Sequence, residues 1–138
     1  MRLPYLANSC ILTNVIRPCF LVIDREHAGT ISTRKLVIET AKLNVITAYS
    51  AQEGIDSLIK FPNVDGAVLD AGIEQMHFDK VIARLKAIKP ELPVIVITAP
   101  DQEQSELADY ELETFDPIRL LELLRKISPG DAKSLADQ

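Results

Sequence analysis

A chain of 138 residues with 47% apolar and 25% charged side chains has the balance of one soluble globular domain, long enough to bury a core. Fifteen lysines and arginines against twenty aspartates and glutamates leave a net charge of −5, and no basic run exceeds Arg34-Lys35 or Arg125-Lys126, so nucleic acid is not an expected partner. Two cysteines, Cys10 and Cys19, are too few for a disulfide framework and lack CxxC spacing; a bridge between them stays open beside the favoured reading of reduced thiols.

Residues 1–18, "MRLPYLANSCILTNVIRP", are apolar but interrupted by Pro4, Asn8, Asn14, Arg17 and Pro18. No run approaches the roughly 18 apolar residues of a membrane span, and no clean apolar block with a small-residue cleavage site marks a signal peptide. They read as an N-terminal extension of a cytoplasmic domain, with no membrane partner. "CFLVID" (19–24) is a buried strand ending in an acid. "TRKLVIETAKL" (33–43) has helical character, with Leu36, Val37, Thr40 and Ala41 on one face. "NVITAY" (44–49) is the second strand. Ser50 and Glu53 form an S-x-x-E capping box that opens a helix through Ile55, Leu58 and Ile59. "FPN" ends that helix, and "VDGAVLD" (64–70) is the third strand, also closed by an aspartate.

Phe78, Val81, Ile82, Leu85 and Ile88 recur at steps of three and four, which predicts a helix stopped by Pro90. "LPVIVITA" (92–99) is a continuous apolar strand, of the kind buried on both faces of a parallel sheet. The stretch "PDQEQSELAD" (100–109) has little apolar surface and reads as a loop or one poorly anchored turn. "YELETF" (110–115) is a short fifth strand suited to a sheet edge. Asp116-Pro117 pairs an N-cap with proline at the first helical position, and Ile118, Leu121, Leu124 and Ile127 supply the inner face of a last helix. Residues 128–138 read as a flexible C-terminal tail.

Repeated strand–helix units with buried strands imply an α/β fold, a parallel sheet covered by helices on both faces. Functional crevices in such sheets lie beyond the carboxyl ends of the strands. Asp24, Asp70 and Thr98 or Ala99 sit at those ends. A buried carboxylate is costly, so Asp70 is expected to face a cleft.

"FLVID", "GAVLDAGIEQM", "PVIVITA" and "DYELETFDP", in this order and spacing, resemble the receiver domain of two-component response regulators. The resemblance covers about residues 19 to 127, a receiver-like domain between the extension (1–18) and the tail (128–138). It implies a doubly wound, flavodoxin-like, five-stranded parallel sheet of order 2-1-3-4-5. It also implies that a histidine kinase would phosphorylate Asp70, that Asp24 would belong to an acidic pocket holding Mg2+ with Asp70, and that Thr98 and Tyr110 would be switch residues. Glu26 is a further acid that can assist in that pocket.

Departures from the pattern accompany the match. Arg25 stands where a second acid is expected. Glu113 replaces a lysine and Thr114 a proline, Glu74 stands where a proline is usual, and the short spacing from Thr98 to Glu113 leaves the family's fourth helix shortened or missing. A carboxylate in place of the lysine exchanges an attraction for a repulsion, roughly 4 kcal/mol per unit pair at about 4 Å and an effective dielectric of about 20 before solvation reduces it. Arg25 is expected to pair directly with Asp70 and take over part of the metal's electrostatic role, leaving Mg2+ doubtful and no other cofactor expected.

The favoured function is a divergent receiver-like module in signalling, acting through protein–protein contacts with phosphorylation weakened or lost. Its partners would be a histidine kinase, a downstream effector or a second copy in a homodimer. The alternative is a true phospho-acceptor at Asp70. A small α/β enzyme is the weakest reading, since the chain lacks a Gly-rich phosphate loop, a GxSxG elbow and a nucleophile–histidine pair. Structural readings stand beside these: Asp70 as a strand-end cap, Arg25 in solvent, Thr98 and Tyr110 as ordinary sheet residues. His27 and His77 are weak metal candidates, with His77 expected to start a helix. Residues 3–16 are expected to pack on the sheet edge or on the surface left by the missing helix.

Overall fold

The computed structural model describes residues 17–25, 32–73, 75–113 and 116–128. Strands β1 (Cys19–Ile23), β2 (Asn44–Ala48), β3 (Gly66–Asp70), β4 (Val94–Ile97) and β5 (Tyr110–Leu112) form one sheet, parallel throughout, in the order β2-β1-β3-β4-β5. The helices are α1 (Thr33–Thr40), α2 (Ala51–Lys60), α3 (Phe78–Ile88) and α4 (Pro117–Ile127). The order is the expected 2-1-3-4-5, and no helix lies between β4 and β5.

Alternation along the strands divides the interior into two cores. Leu21, Ile23, Ala67, Leu69, Val94 and Val96 face α2 and α3, where Ile55, Leu58, Val81, Ile82 and Leu85 cover them. Phe20, Val22, Val68, Ile95 and Ile97 face the other way, against Ile38 of α1 and Leu120, Leu123 and Leu124 of α4. Each helix starts at a side-chain cap: Ser32, Ser50, His77 and Asp116. His77 starts α3 as expected, its Nδ1 accepting from the Asp79 amide at 3.2 Å. The Ser50–Glu53 box is complete, with Glu53 N donating to Ser50 Oγ and Tyr49 N to Glu53 Oε1.

Several helix faces differ from the sequence reading. In α1 the buried residue is Ile38, while Leu36 is 47% exposed; Leu36, Val37, Thr40 and Ala41 instead line a groove shared with Pro117, Leu121 and Arg125 of α4. Ile59 in α2 points outward and Ile88 in α3 lies at the exposed margin. In α4 the inward stripe is Leu120, Leu123 and Leu124, and Ile118 is 72% exposed. "PIRLLELLRKI" carries two overlapping apolar stripes, and packing on the sheet selects the one that starts a full turn inside the helix.

The 100–109 stretch is a loop, as read, but it is firmly anchored. Ser105 Oγ donates to Asp79 Oδ1 at 2.5 Å, and Ser105 N donates to Glu111 Oε1 at 3.0 Å. His77 Nε2 meets Glu103 at 2.5 Å, and Lys86 Nζ pairs with Asp109 at 2.8 Å. Polar bonds do the fastening that an apolar helix face would otherwise do. Strand limits shift inward by one to three residues: β4 is four residues and β5 ends at Leu112, with Thr114 and Phe115 outside the described residues.

Candidate functional site

Register delivers two acids to one edge of the sheet. Ile23 of β1 is level with Leu69 of β3, and Asp24 and Asp70 follow them. Ladder bonds persist there: Asp24 N donates to Ala48 O at 2.8 Å, Ala71 N to Ile97 O at 2.9 Å and Thr98 N to Leu112 O at 2.8 Å. Asp24, Asp70 and Thr98 are 0%, 6% and 2% exposed. Two neighbouring carboxylates so poorly solvated require compensation by donors and opposite charge.

Arg34 provides most of that compensation. Its Nη2 lies 2.8 Å from Asp70 Oδ2 and its Nη1 3.3 Å from Asp24 Oδ1, so one guanidinium spans both acids. Its side chain is 13% exposed, against 65% for Arg25. The expected Arg25 pairing with Asp70 is there, but at 3.7 Å through Nε, on the rim. Backbone and hydroxyl donors complete the set. Asp24 Oδ1 accepts from Arg25 N at 2.8 Å and Asp24 Oδ2 from Ser32 Oγ at 2.6 Å; Asp70 Oδ1 accepts from Gly72 N at 2.6 Å. A Cβ at Gly72 would come within 2.9 Å of that same Asp70 oxygen, so the close backbone approach calls for glycine.

Ser32 and Arg34 are the residues of this notch that sequence reasoning missed. Arg34 was legible only as half of an ordinary basic pair. One signal was available: α1 has no acid in its first turn, and an arginine there opposes the positive end of the helix dipole. Such a local conflict is resolved here by the two aspartates.

Arg25, Arg34, Asp70, Gly72 and Thr98 line one cavity of about 280 Å³, together with residues 99, 100 and 102. The Thr98 hydroxyl points toward β5, 3.4 Å from both Leu112 O and Glu111 Oε2. Tyr110 is half-buried against the α1/α4 core, with Lys126 Nζ 5.5 Å from its ring centre. Glu113 is exposed and lines a different cavity with Glu111, Asp116 and Arg119, so the repulsion expected at the notch is not built there. His77 serves as a helix cap bonded to Glu103. Glu26, His27, Glu74, Thr114, Cys10, residues 3–16 and residues 129–138 of the tail lie outside the described residues, while Ser128 caps the end of α4. Cys19 carries a free, partly buried thiol whose pKa is pushed above its ordinary value by burial and, secondarily, by the Asp65 charge.

Mg2+ is the cation that the resemblance implies, and the arrangement does not fit it. Mg2+ needs oxygen ligands at about 2.1 Å in near-octahedral geometry. Here every oxygen of Asp24 and Asp70 faces an N–H or O–H donor, and a guanidinium fills the space between the two acids. Among the described residues no group of three or more His, Cys, Asp or Glu gathers to hold a metal, and no helix is long and apolar enough to cross a membrane.

Compared with solved structures, the chain has the fold of response regulator receiver domains. A receiver domain from Clostridium thermocellum superposes with a TM-score of 0.71 at 22% identity, covering 80% of this chain and 93% of that one. A CheY-like receiver domain from Methylobacillus flagellatus gives 0.70 at 17% identity, covering 82% and 100%. The response regulator TrrA from Thermotoga maritima, solved in complex with Mg2+ and BeF, gives 0.66 at 23% identity, covering 80% and 99%. No protein-family model matches the chain, and no curated protein matches it by sequence.

Proposed function

We propose that this chain is a divergent receiver domain of two-component signalling that acts mainly through protein–protein contacts, with phosphorylation of Asp70 weakened or lost. A single observation carries the reading: the Asp70 carboxylate is held at 2.8 Å by Arg34 and at 2.6 Å by the Gly72 amide. An aspartate that accepts a phosphoryl group attacks through a carboxylate oxygen, and the transferred group needs nearby positive charge on its own oxygens. In this notch the buried cation is committed to the two acids. The nucleophile's electron pairs are engaged, and the charge that would receive the phosphoryl group is neutralised.

Its partners in this reading are other signalling proteins, a histidine kinase or a downstream effector, or a second copy of the chain. The module has no catalytic role of its own. Fold likeness supports the class, and the ion-paired acids support the loss of chemistry. The competing reading is a working phospho-acceptor, favoured by the opening of Asp70 into a cavity that Thr98 also lines.

Incubation of the full chain with a small phosphodonor and Mg2+, followed by intact-mass measurement, separates the two. The expected result is no stoichiometric adduct. A gain of one phosphoryl group, absent in Asp70→Asn, overturns the proposal in favour of the phospho-acceptor.

A further inference from the structure

We propose that Arg34 is a tethered counter-cation that stands in for a divalent ion between Asp24 and Asp70, closing the notch to Mg2+ in the wild-type protein. This rests on reading the notch as the acidic pocket of a receiver fold, and it assigns the closure to one residue.

The two acids are almost completely buried and adjacent, so their charges must be met from within the protein or by a bound ion. Arg34 meets both at once, one Nη on each acid, at 3.3 and 2.8 Å. A planar, delocalised guanidinium suits this task better than a point charge, because its fork reaches two carboxylates from one fixed plane. Arg25 is not equivalent. It is largely exposed, approaches only Asp70, and does so at 3.7 Å.

The tether is built as well as occupied. Ser32 caps α1 through the Lys35 amide and donates to Asp24 Oδ2, so the helix that carries Arg34 is fastened to the acid that Arg34 pairs with. Arg34 sits two residues after that cap, where the helix dipole disfavours a cation. Its position there is maintained by the acids. With Arg34 in place the acids' two negative charges are opposed by Arg34 and, at the rim, Arg25, and a divalent ion entering between them would have to expel a guanidinium. The notch would therefore hold one charge state whatever the metal concentration around it.

The test is a Mn2+ titration of the full-length chain, read by paramagnetic broadening of the Gly72 and Arg25 amide signals and by competition with Mg2+. Wild type is expected to show no selective broadening at millimolar ion. Arg34→Met is expected to gain Mg2+-competed broadening at least tenfold more sensitive, and Arg25→Met, which removes only the rim contact to Asp70, to gain much less than Arg34→Met. Arg34→Gln keeps a neutral donor between the acids and replaces Arg34→Met if that variant does not fold. Selective, Mg2+-competed broadening in wild type overturns the proposal on its own, whatever the variants do. So does a folded Arg34 variant that gains nothing. Phosphorylation of wild type in the mass assay, without metal broadening, would remove the functional reading and leave the role of Arg34 standing.

Discussion

Ser32 donates its hydroxyl hydrogen to Asp24 Oδ2 at 2.6 Å while its oxygen accepts from the Lys35 amide at 3.2 Å. One side chain thus starts α1 and ties it to the end of β1. Ser32→Ala removes an N-cap, worth about 1 kcal/mol, and a buried bond to a charged group, worth about 1.5–3 kcal/mol. Denaturant unfolding should show a loss of about 2–4 kcal/mol with an unchanged m-value. A loss below about 0.5 kcal/mol would mean that α1 does not depend on this link.

Asp24 and Arg34 should be energetically coupled. Asp24→Ala leaves a guanidinium half-compensated in a poorly solvated notch, and Arg34→Met leaves two acids facing each other. A double-mutant cycle is expected to give a coupling of about 1–3 kcal/mol, the double variant being less damaged than the sum of the singles. Simple additivity would place the pair outside a shared network.

Gly54 lies in α2 against Ile23 of β1, and an added Cβ would stand 2.6 Å from Ile23 Cγ1. Alanine ordinarily stabilises a helix interior by about 1 kcal/mol relative to glycine, whereas overpacking costs about 1–3 kcal/mol. The clash should win, so Gly54→Ala is expected to lower the melting temperature. Ile23→Val, which deletes the nearest methyl, should recover part of the difference in the double variant.

Lys42 adopts φ 65 just after α1, with its amide on Glu39 O and the Leu43 amide on Ile38 O, closing the helix end. Glycine takes this left-handed conformation without a Cβ penalty. Lys42→Gly should stabilise by about 0.5–1 kcal/mol, a rise of about 2–4 °C in melting temperature by calorimetry. An unchanged or lower value would show that the lysine pays no conformational cost there.

Burial first, and the Asp65 charge second, push the Cys19 thiol pKa above its ordinary value. The neutral thiol is therefore the form that folding favours. That contribution is fully present below the unfolded pKa and is lost as pH rises through the folded one. In a Cys10→Ser background, the iodoacetamide reaction of native protein should inflect at higher pH than that of urea-unfolded protein, because the thiolate is the nucleophile. Coincident profiles, or a lower native inflection, would contradict the burial argument.

Much of the architecture was legible because buried parallel strands have an unmistakable composition. "CFLVID", "GAVLD" and "PVIVIT" locate β1, β3 and β4, and their terminal residues Asp24, Asp70 and Thr98 do share one sheet edge. Helix faces were less legible. Ile38 rather than Leu36, and Leu120 and Leu123 rather than Ile118, point inward, because leucine-rich helices offer more than one stripe and the sheet selects between them. The loop before β5 read as weakly held because its bonds are polar and distant in sequence, as in Ser105 to Asp79.

By itself, the chain's order of residues determined the strands of a parallel sheet and the acids at their ends, since period and apolar run length are local properties that survive without neighbours; the order 2-1-3-4-5 was implied only by the resemblance to receiver domains. Only the tertiary structure decided which cation meets those acids. Arg25 is adjacent to Asp24 in sequence, yet strand geometry sends it to the rim; Arg34, ten residues away, is turned inward by the start of a helix. Side-chain direction at a helix end depends on what that end is fastened to, and sequence spacing alone does not carry that information.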